Sequence, residues 1–420
     1  MISELAQIIM QLVNDRYEIQ GIPVLDIAQQ FGTPLYVYDA DKIVDKINQL
    51  RNAFSSVDLK IKFACKALTN VSILKLMRQN GVELDVVSPQ ELELGLHAGY
   101  EGSQITFTPS GVSFDEIETA VAVGSIINLD NLIVLEKFGQ RFGGTVPCMI
   151  RIKPNVAAGG NAKIMTAHEG SKFGIDIRQR EDILRIVNQY GINVVGLHQH
   201  TGSDIKEANA FVRAADVIFN FAKDFPNLQI IDLGGGFKVA YKEGDPTTDM
   251  PALGAQLSEA FLALSEQLGR KLQLWFEPGK FLVSESGILL VNANVVKSTP
   301  NRTFVGVNSG LNHLIRPMMY DAYHHIVNVS NPVSDQLKTY DVVGYICETD
   351  TFATDRQLTE VHENDTLALL NAGAYGFTMS SQYNSRFRPA EVLVYQGKAH
   401  IIRQRETMED ILKNQVLLEL

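Results

Sequence analysis

Cysteine is scarce in this chain, with Cys65, Cys148 and Cys347 the only three in 420 residues. An odd number at such wide separation suits neither a disulfide framework nor a structural zinc site, and it points to a reducing compartment. Positive charge is also short. Lys and Arg number 37 against 48 Asp and Glu, a formal net charge of -11, and no basic cluster offers a face to nucleic acid or anionic lipid. No apolar run approaches the roughly 20 residues that span a bilayer. Residues 1–15 carry Glu4 and Asp15 among scattered apolar positions and lack the basic start and apolar stretch of a secretory signal. Internal repeats and low-complexity segments are missing too. These absences leave a cytoplasmic protein that acts on a small molecule as the expectation, with no nucleic-acid or membrane partner.

What is present is a long alternation. A chain of 420 residues exceeds the usual single core. Between 60 and 279 it alternates β-like runs, at 61–64, 84–87, 105–107, 126–129, 146–152, 194–198, 229–233 and 273–276, with helix-length amphipathic stretches such as 89–98, 113–123, 181–190 and 252–268. Eight regular units predict an α/β fold, a (β/α)8 TIM-type barrel, more readily than an open doubly wound sheet. Beyond 284 the runs at 289–296, 303–307, 340–346, 366–370 and 392–395 have few helices between them. They predict a C-terminal, mainly antiparallel β-barrel or sandwich domain that also takes in the N-terminal segment. The expected organisation is 1–34 packing with the β domain, 35–284 as the barrel and 285–420 as the β domain.

In such a barrel the chemistry sits at the C-terminal strand ends. Lys66 follows the first strand, Asp85 and Ser88 flank the end of the second, and His200 and Ser203 follow the sixth. Asp232-Leu233-Gly234-Gly235-Gly236-Phe237 ends the seventh, and Glu277-Pro278-Gly279-Lys280 follows the eighth. The glycine turn leaves backbone N–H groups bare, which suits a phosphate, and loops seven and eight are where such barrels hold one. Lys66 stands among small and apolar neighbours, where a desolvated amine becomes a nucleophile. His198 and His200 share a face while the strand is extended. That suits either structural histidines or a His-x-His metal pair, although no further ligands stand nearby and no metal is expected. Glu277 is either a strand end fixed by Pro278 or a functional carboxylate. A lysine amine, a phosphate cradle, a histidine able to stack and a carboxylate in one mouth are what pyridoxal 5′-phosphate requires of a protein.

The motifs Ala64-Cys65-Lys66-Ala67, Glu83-Leu84-Asp85-Val86-Val87-Ser88, Gly196-Leu197-His198-Gln199-His200-Thr201-Gly202-Ser203, Asp232 to Phe237 and Glu277-Pro278-Gly279 come in a telling order. They are followed by Arg316-Pro317-Met318-Met319-Tyr320, Cys347-Glu348-Thr349-Asp350 and Gly373-Ala374-Tyr375-Gly376. Over nearly its whole length the chain resembles the fold-type III, barrel-fold pyridoxal-phosphate decarboxylases, most closely those acting on diaminopimelate. The resemblance implies that Lys66 is the Schiff-base lysine, that Glu277 keeps the cofactor ring charged and that His200 stacks on it. It places Asp85, Ser203, Gly235, Gly236, Gly279, Lys280 and Tyr375 about the cofactor, with Cys347 returning a proton. It further implies a homodimer in which Cys347 and Glu348 act in the partner's site.

Substrate choice depends on what meets the distal end of the substrate. Arg316 suits a carboxylate and Glu348 an amine, with Tyr320, Tyr375 and Lys280 as further substrate contacts. An arginine there repels a distal amine such as ornithine's, so the expected reaction is decarboxylation of meso-2,6-diaminopimelate to L-lysine. The alternatives are a decarboxylase of another basic or carrier-linked amino acid, a pyridoxal-phosphate racemase, and a metal-dependent barrel hydrolase. Three positions depart from the family pattern: Lys280 replaces the usual arginine, Pro89-Gln90 a glycine pair, and Leu68 an asparagine.

Overall fold

The computed structural model describes residues 9–155, 171–202, 208–334 and 336–420. The chain divides into two compact units. One holds the described residues up to Val44 with Ala240–Asp245 and Val283–Leu420, and the other those of Asp45–Val239 and Pro246–Leu282.

The second of these units is the expected barrel. Its strands are β1 (Leu59–Ala64), β2 (Glu83–Val86), β3 (Ile105–Phe107), β4 (Ile126–Leu129), β5 (Cys148–Lys153), β6 (Val194–His198), β7 (Ile230–Asp232) and β8 (Gln273–Phe276). Each pairs in parallel with the next, and β8 returns to β1 through Phe276 opposite Ile61, which closes the ring. The short run Ile175–Asp176 adds to β5 from outside the ring. Both faces of a barrel strand are covered, and β1 illustrates the consequence. Ile61 and Phe63 occupy one face, while Lys60 and Lys62 share the other and meet Glu83 at 3.0 and 2.6 Å. Lys62 is fully buried and tolerable there because it is paired and lies 4.2 Å from the Trp275 ring centroid.

The helices start where their caps dictate. Ser88 Oγ accepts the Glu91 N–H at 3.2 Å and Glu91 Oε2 accepts the Val87 N–H at 2.9 Å, with Pro89 in the first turn of Pro89–His97. This accounts for one departure from the family pattern, because proline is favoured where a helix has no use for its N–H. Asn70 caps Val71–Gln79 and Asp249 caps Met250–Gln267 in the same way. Each cap fixes where the loop after a barrel strand ends, and so fixes the strand-end residues. Leu68 is explained by burial, since it closes the turn after β1 with almost no exposure.

The other unit is built on a largely antiparallel sheet. Its order runs Thr351–Thr359, Leu337–Val343, Thr303–Val307, Gly287–Ser298, Leu35–Asp39, Ala390–Tyr395, Lys398–Arg403, with Thr366–Leu369 and Ile326–Asn328 branching from Gly287–Ser298. Leu35–Asp39 lies between Gly287–Ser298 and Ala390–Tyr395, so an N-terminal strand completes a sheet made mostly of C-terminal ones. The core beneath it mixes both ends of the chain, with Met10, Ile19, Val24 and Ile27 against Ile288, Leu290, Ala368 and Val392. The described N-terminal residues up to Val44 therefore belong to the β domain.

Candidate active site

Lys66 sits in the tight turn Cys65–Ala67 directly after β1, between buried Cys65 and Ala67. The lysine itself is exposed, which differs from the desolvated amine expected of its apolar neighbours. A strand end opens outward, so the flanking residues are buried and the long side chain is not. Its positive charge reaches three carboxyl groups, lowering the pKa values of Asp85, Glu91 and Glu277.

A buried polar layer crosses the barrel at the strand ends. On β6 His198 lies opposite Asp232 of β7 on one side and Arg151 of β5 on the other. The Asn128 amide nitrogen, which can only donate, lies 2.8 Å from His198 Nδ1. The proton is therefore on Nε2, which approaches Glu277 Oε2 to 3.1 Å. Burial pushes the pKa of His198 down and keeps it neutral. For Glu277 burial pushes up, but His198, Lys66 and Arg151 outweigh it and hold the carboxyl well below the usual range. Asp232 and Asp85 go the other way: burial first and then the Glu277 charge raise both, so they stay protonated. The layer thus holds three carboxyl groups and one negative charge. That charge has an open end, since Glu277 Oε1 is buried and takes no hydrogen bond.

The glycine turn is fixed to this layer. Gly234 and Gly236 adopt φ of 69° and 108°, open to glycine at little cost. A Cβ on Gly234 would meet His200 Nδ1 at 2.6 Å, and one on Gly235 the Glu277 carbonyl oxygen at 2.5 Å. The N–H groups of the first two glycines are not bare as expected. Gly234 donates to Asp232 Oδ1 at 2.8 Å and Gly235 to His200 Nδ1 at 3.2 Å, because buried donors seek partners. A phosphate would compete with His200 for Gly235. His200 is half-buried, and burial, then Arg151 and Lys66, push it down to about 3, so its ring is neutral. Gly279 and Lys280 are half-buried where the short helix Lys280–Val283 begins. Ser203 lies outside the described residues.

The β domain carries the remaining expected residues. Arg316 is buried at the head of the short helix Arg316–Tyr320, which ends in half-buried Tyr320. Cys347 and Glu348 are exposed in a turn after Leu337–Val343, held by the segment 383–385: Tyr383 donates to Glu348 Oε1 at 2.8 Å and Asn384 to Cys347 Sγ at 3.7 Å. Tyr375 has a left-handed φ of 55°, which costs about 1–2 kcal/mol. Its neighbour Gly373 is too close to the Val283 carbonyl for any side chain, with a Cβ there only 1.8 Å from the oxygen.

Asn128, Arg151, His198 and Asp232 are the working residues of the layer that sequence reasoning passed over or left as structural. The available signal was a polar side chain inside an apolar run, as in Ile126-Ile127-Asn128-Leu129 and Met149-Ile150-Arg151-Ile152. His198, Asp232 and Glu277 also bring ligand atoms within 4.8 Å of one another, so among the described residues one group has metal-site spacing. It is not the His198–His200 pair considered from the sequence. The cations Lys66 and Arg151 acting on Glu277 oppose a further cation there. A ring nitrogen that carries a proton suits the open Glu277 oxygen, so the residues fit pyridoxal phosphate.

Comparison with known proteins agrees with that fit. Residues 40–284 match the family described as pyridoxal-dependent decarboxylase, pyridoxal binding domain. A diaminopimelate decarboxylase of Methanothermobacter thermautotrophicus is 37% identical over 415 residues, 96% of this chain and 96% of that protein. Among solved structures, a diaminopimelate decarboxylase from M. jannaschi superposes with a TM-score of 0.90 at 28% identity, covering 99% of both chains. A diaminopimelate decarboxylase from Helicobacter pylori complexed with L-lysine does so at 0.85 and 31%, covering 93% of this chain and 98% of that one.

Proposed function

The chain belongs to the pyridoxal-dependent decarboxylases, and from that premise we propose that it is a carboxy-lyase converting meso-2,6-diaminopimelate to L-lysine and CO2, a step of lysine biosynthesis. The observation that carries the reading is Glu277, charged, buried and with one open oxygen in the layer where β8 ends. When bound, pyridoxal phosphate supplies an electron sink for the pair left behind by the departing carboxylate.

The chain's own residues have these roles. Lys66 would hold the cofactor aldehyde through its amine. Glu277 would keep the cofactor's ring nitrogen protonated, and His198 and Asp232 hold Glu277. His200, neutral, would hold the ring by stacking, with Asp85 as a protonated acid. Ser203, which lies outside the described residues, Gly235 and Tyr375 would hold the phosphate, with Gly236, Gly279 and Lys280 as further cofactor contacts. Lys280 supplies the positive charge of the family's usual arginine without its planar fork. Arg316, Tyr320, Tyr375 and Lys280 receive the distal carboxylate, and Glu348 the distal amine. Cys347 Sγ delivers the proton that replaces CO2.

We further propose a homodimer in which Cys347 and Glu348 serve the partner's site. Their exposure supports this, since groups offered to another chain must be open on their own. Among the described residues no helix is long and apolar enough to cross a membrane, and a cytoplasmic setting suits a small-molecule reaction with free thiols. The test is CO2 release by the purified, pyridoxal-phosphate-loaded protein from diaminopimelate, lysine, ornithine and arginine. Release from diaminopimelate alone is expected, and preferential release from ornithine or arginine would overturn the substrate assignment.

A further inference from the structure

Arg316 is buried, yet among the described residues no carboxylate lies within ion-pair distance of it. A guanidinium removed from water without a counter-charge is costly, so its surroundings have to explain how it is kept and for what. Both of its hydrogen bonds are made by one atom. Nη1 donates to Tyr241 Oη at 3.1 Å and approaches His324 Nε2 at 3.4 Å.

The state of His324 follows from its other nitrogen. Nδ1 lies 2.8 Å from the Leu370 carbonyl oxygen, which can only accept, so Nδ1 carries the proton and Nε2 presents its lone pair to Arg316. The ring is fully buried, and burial, then Arg316, push its pKa down to about 3, which keeps it neutral and an acceptor. Tyr241 accepts from Arg316 and reaches Ser284 Oγ at 3.0 Å with its own hydroxyl. Its ring meets His324 edge-on at 5.8 Å and lies 5.1 Å from the Arg316 guanidinium carbon. The loop that carries Tyr241 is itself tied down, since Asn371 donates to the Ala240 carbonyl at 2.5 Å. Two neutral acceptors therefore hold one corner of the guanidinium, and among the described residues its Nη2 and Nε groups donate no hydrogen bond. That edge is the one that grips a carboxylate with two parallel bonds.

We infer that Tyr241 and His324 are positioning residues that set Arg316 to receive a carboxylate through its Nη2–Nε edge, and so determine the specificity for a substrate with an amino-acid head at its distal end. The inference rests on the proposed reaction, in which Arg316 meets that distal carboxylate. It assigns selectivity to two residues that do not touch the substrate. Neutral acceptors are essential to it: a carboxylate in place of either would neutralise Arg316 and compete for the edge.

L-lysine and cadaverine test the inference, because they differ only by the carboxylate in question. Their dissociation constants would be measured on the pyridoxal-phosphate-loaded enzyme by the change in cofactor absorbance. The wild type is expected to prefer L-lysine by about 10- to 100-fold, the span of a charge-assisted pair. Tyr241→Phe and His324→Phe are each expected to cut that ratio about tenfold or more, with pyridoxal-phosphate affinity and cadaverine binding unchanged, and to raise KM for diaminopimelate more than they lower kcat. His324→Gln, which keeps an acceptor, should restore most of the ratio. Variants with the wild-type ratio, or with both ligands weakened equally, would overturn the inference. Failure of the wild type to release CO2 from diaminopimelate would instead overturn the reaction, and that result is read separately from the binding ratio.

Discussion

Replacing Glu277 by glutamine isolates the one negative charge in the buried layer. The side chain keeps its length and an acceptor oxygen, so packing against His198 and the glycine turn changes little, but the anion that holds a ring proton is gone. A hydrogen bond to a charged group contributes about 1.5–3 kcal/mol, and every 1.4 kcal/mol is a factor of about ten, so kcat should fall about 10- to 150-fold. The fall has a floor set by the neighbours. Asp232 is protonated partly because Glu277 is charged, and in Glu277→Gln that cause disappears, which lets Asp232 carry part of the charge. The double variant Glu277→Gln, Asp232→Asn should therefore lose more than the product of the two single losses. The assay is single-turnover CO2 release at saturating diaminopimelate, paired with a pH titration of the bound cofactor's absorbance. A Glu277→Gln rate within twofold of wild type, with an unshifted titration, would refute the assignment of the ring-nitrogen charge to this carboxylate.

Lys66→Ala should abolish both the visible band of the lysine-bound cofactor and turnover, and a retained band would place the linkage elsewhere. Cys347→Ala should bind cofactor normally but release product slowly, with an enlarged solvent isotope effect; an unchanged rate would move the proton donor. Mixing inactive Lys66→Ala chains with slow Cys347→Ala chains should regain up to about a quarter of wild-type activity if sites are shared across a dimer, whereas no recovery on mixing and refolding would rule out sharing. His198, His200 and His324 have folded pKa values below the unfolded value near 6.5. Their contribution is complete above about pH 6.5 and declines on acidification by up to about 1.4 kcal/mol per pH unit each. Asp85 and Asp232, raised in the fold, contribute in the opposite sense but are fewer. The melting temperature should therefore fall more between pH 6 and 5 than between pH 8 and 7, and equal falls would contradict buried neutral histidines.

Much of this was legible in the residue order. The eight barrel strands alternate with capped helices strongly enough that period alone located each within about two residues, because both faces of a parallel strand must be covered and leave near-continuous apolar runs. Strand-end chemistry followed from topology, and Lys66, Asp85, His200 and Glu277 lie where it put them. The state of those groups was hidden. Nothing local says that Asp232 is protonated while Glu277 is charged, since that depends on which carboxyl His198 faces and on cations from other strands. The same holds for Gly235, whose N–H is taken by a histidine 35 residues away. Lys66 was misjudged for a related reason: buried sequence neighbours do not bury a side chain that leaves the strand end. Tyr241 and His324 gave no motif, because their role arises from one corner of Arg316 and a carbonyl at Leu370.

The most direct test of the central claim is the product balance from meso-diaminopimelate. With the purified protein loaded with pyridoxal phosphate, the account predicts CO2 and L-lysine in equal amounts, with both lost in Lys66→Ala. Stereoisomers of diaminopimelate appearing without CO2, or turnover that survives removal of the cofactor, would contradict it.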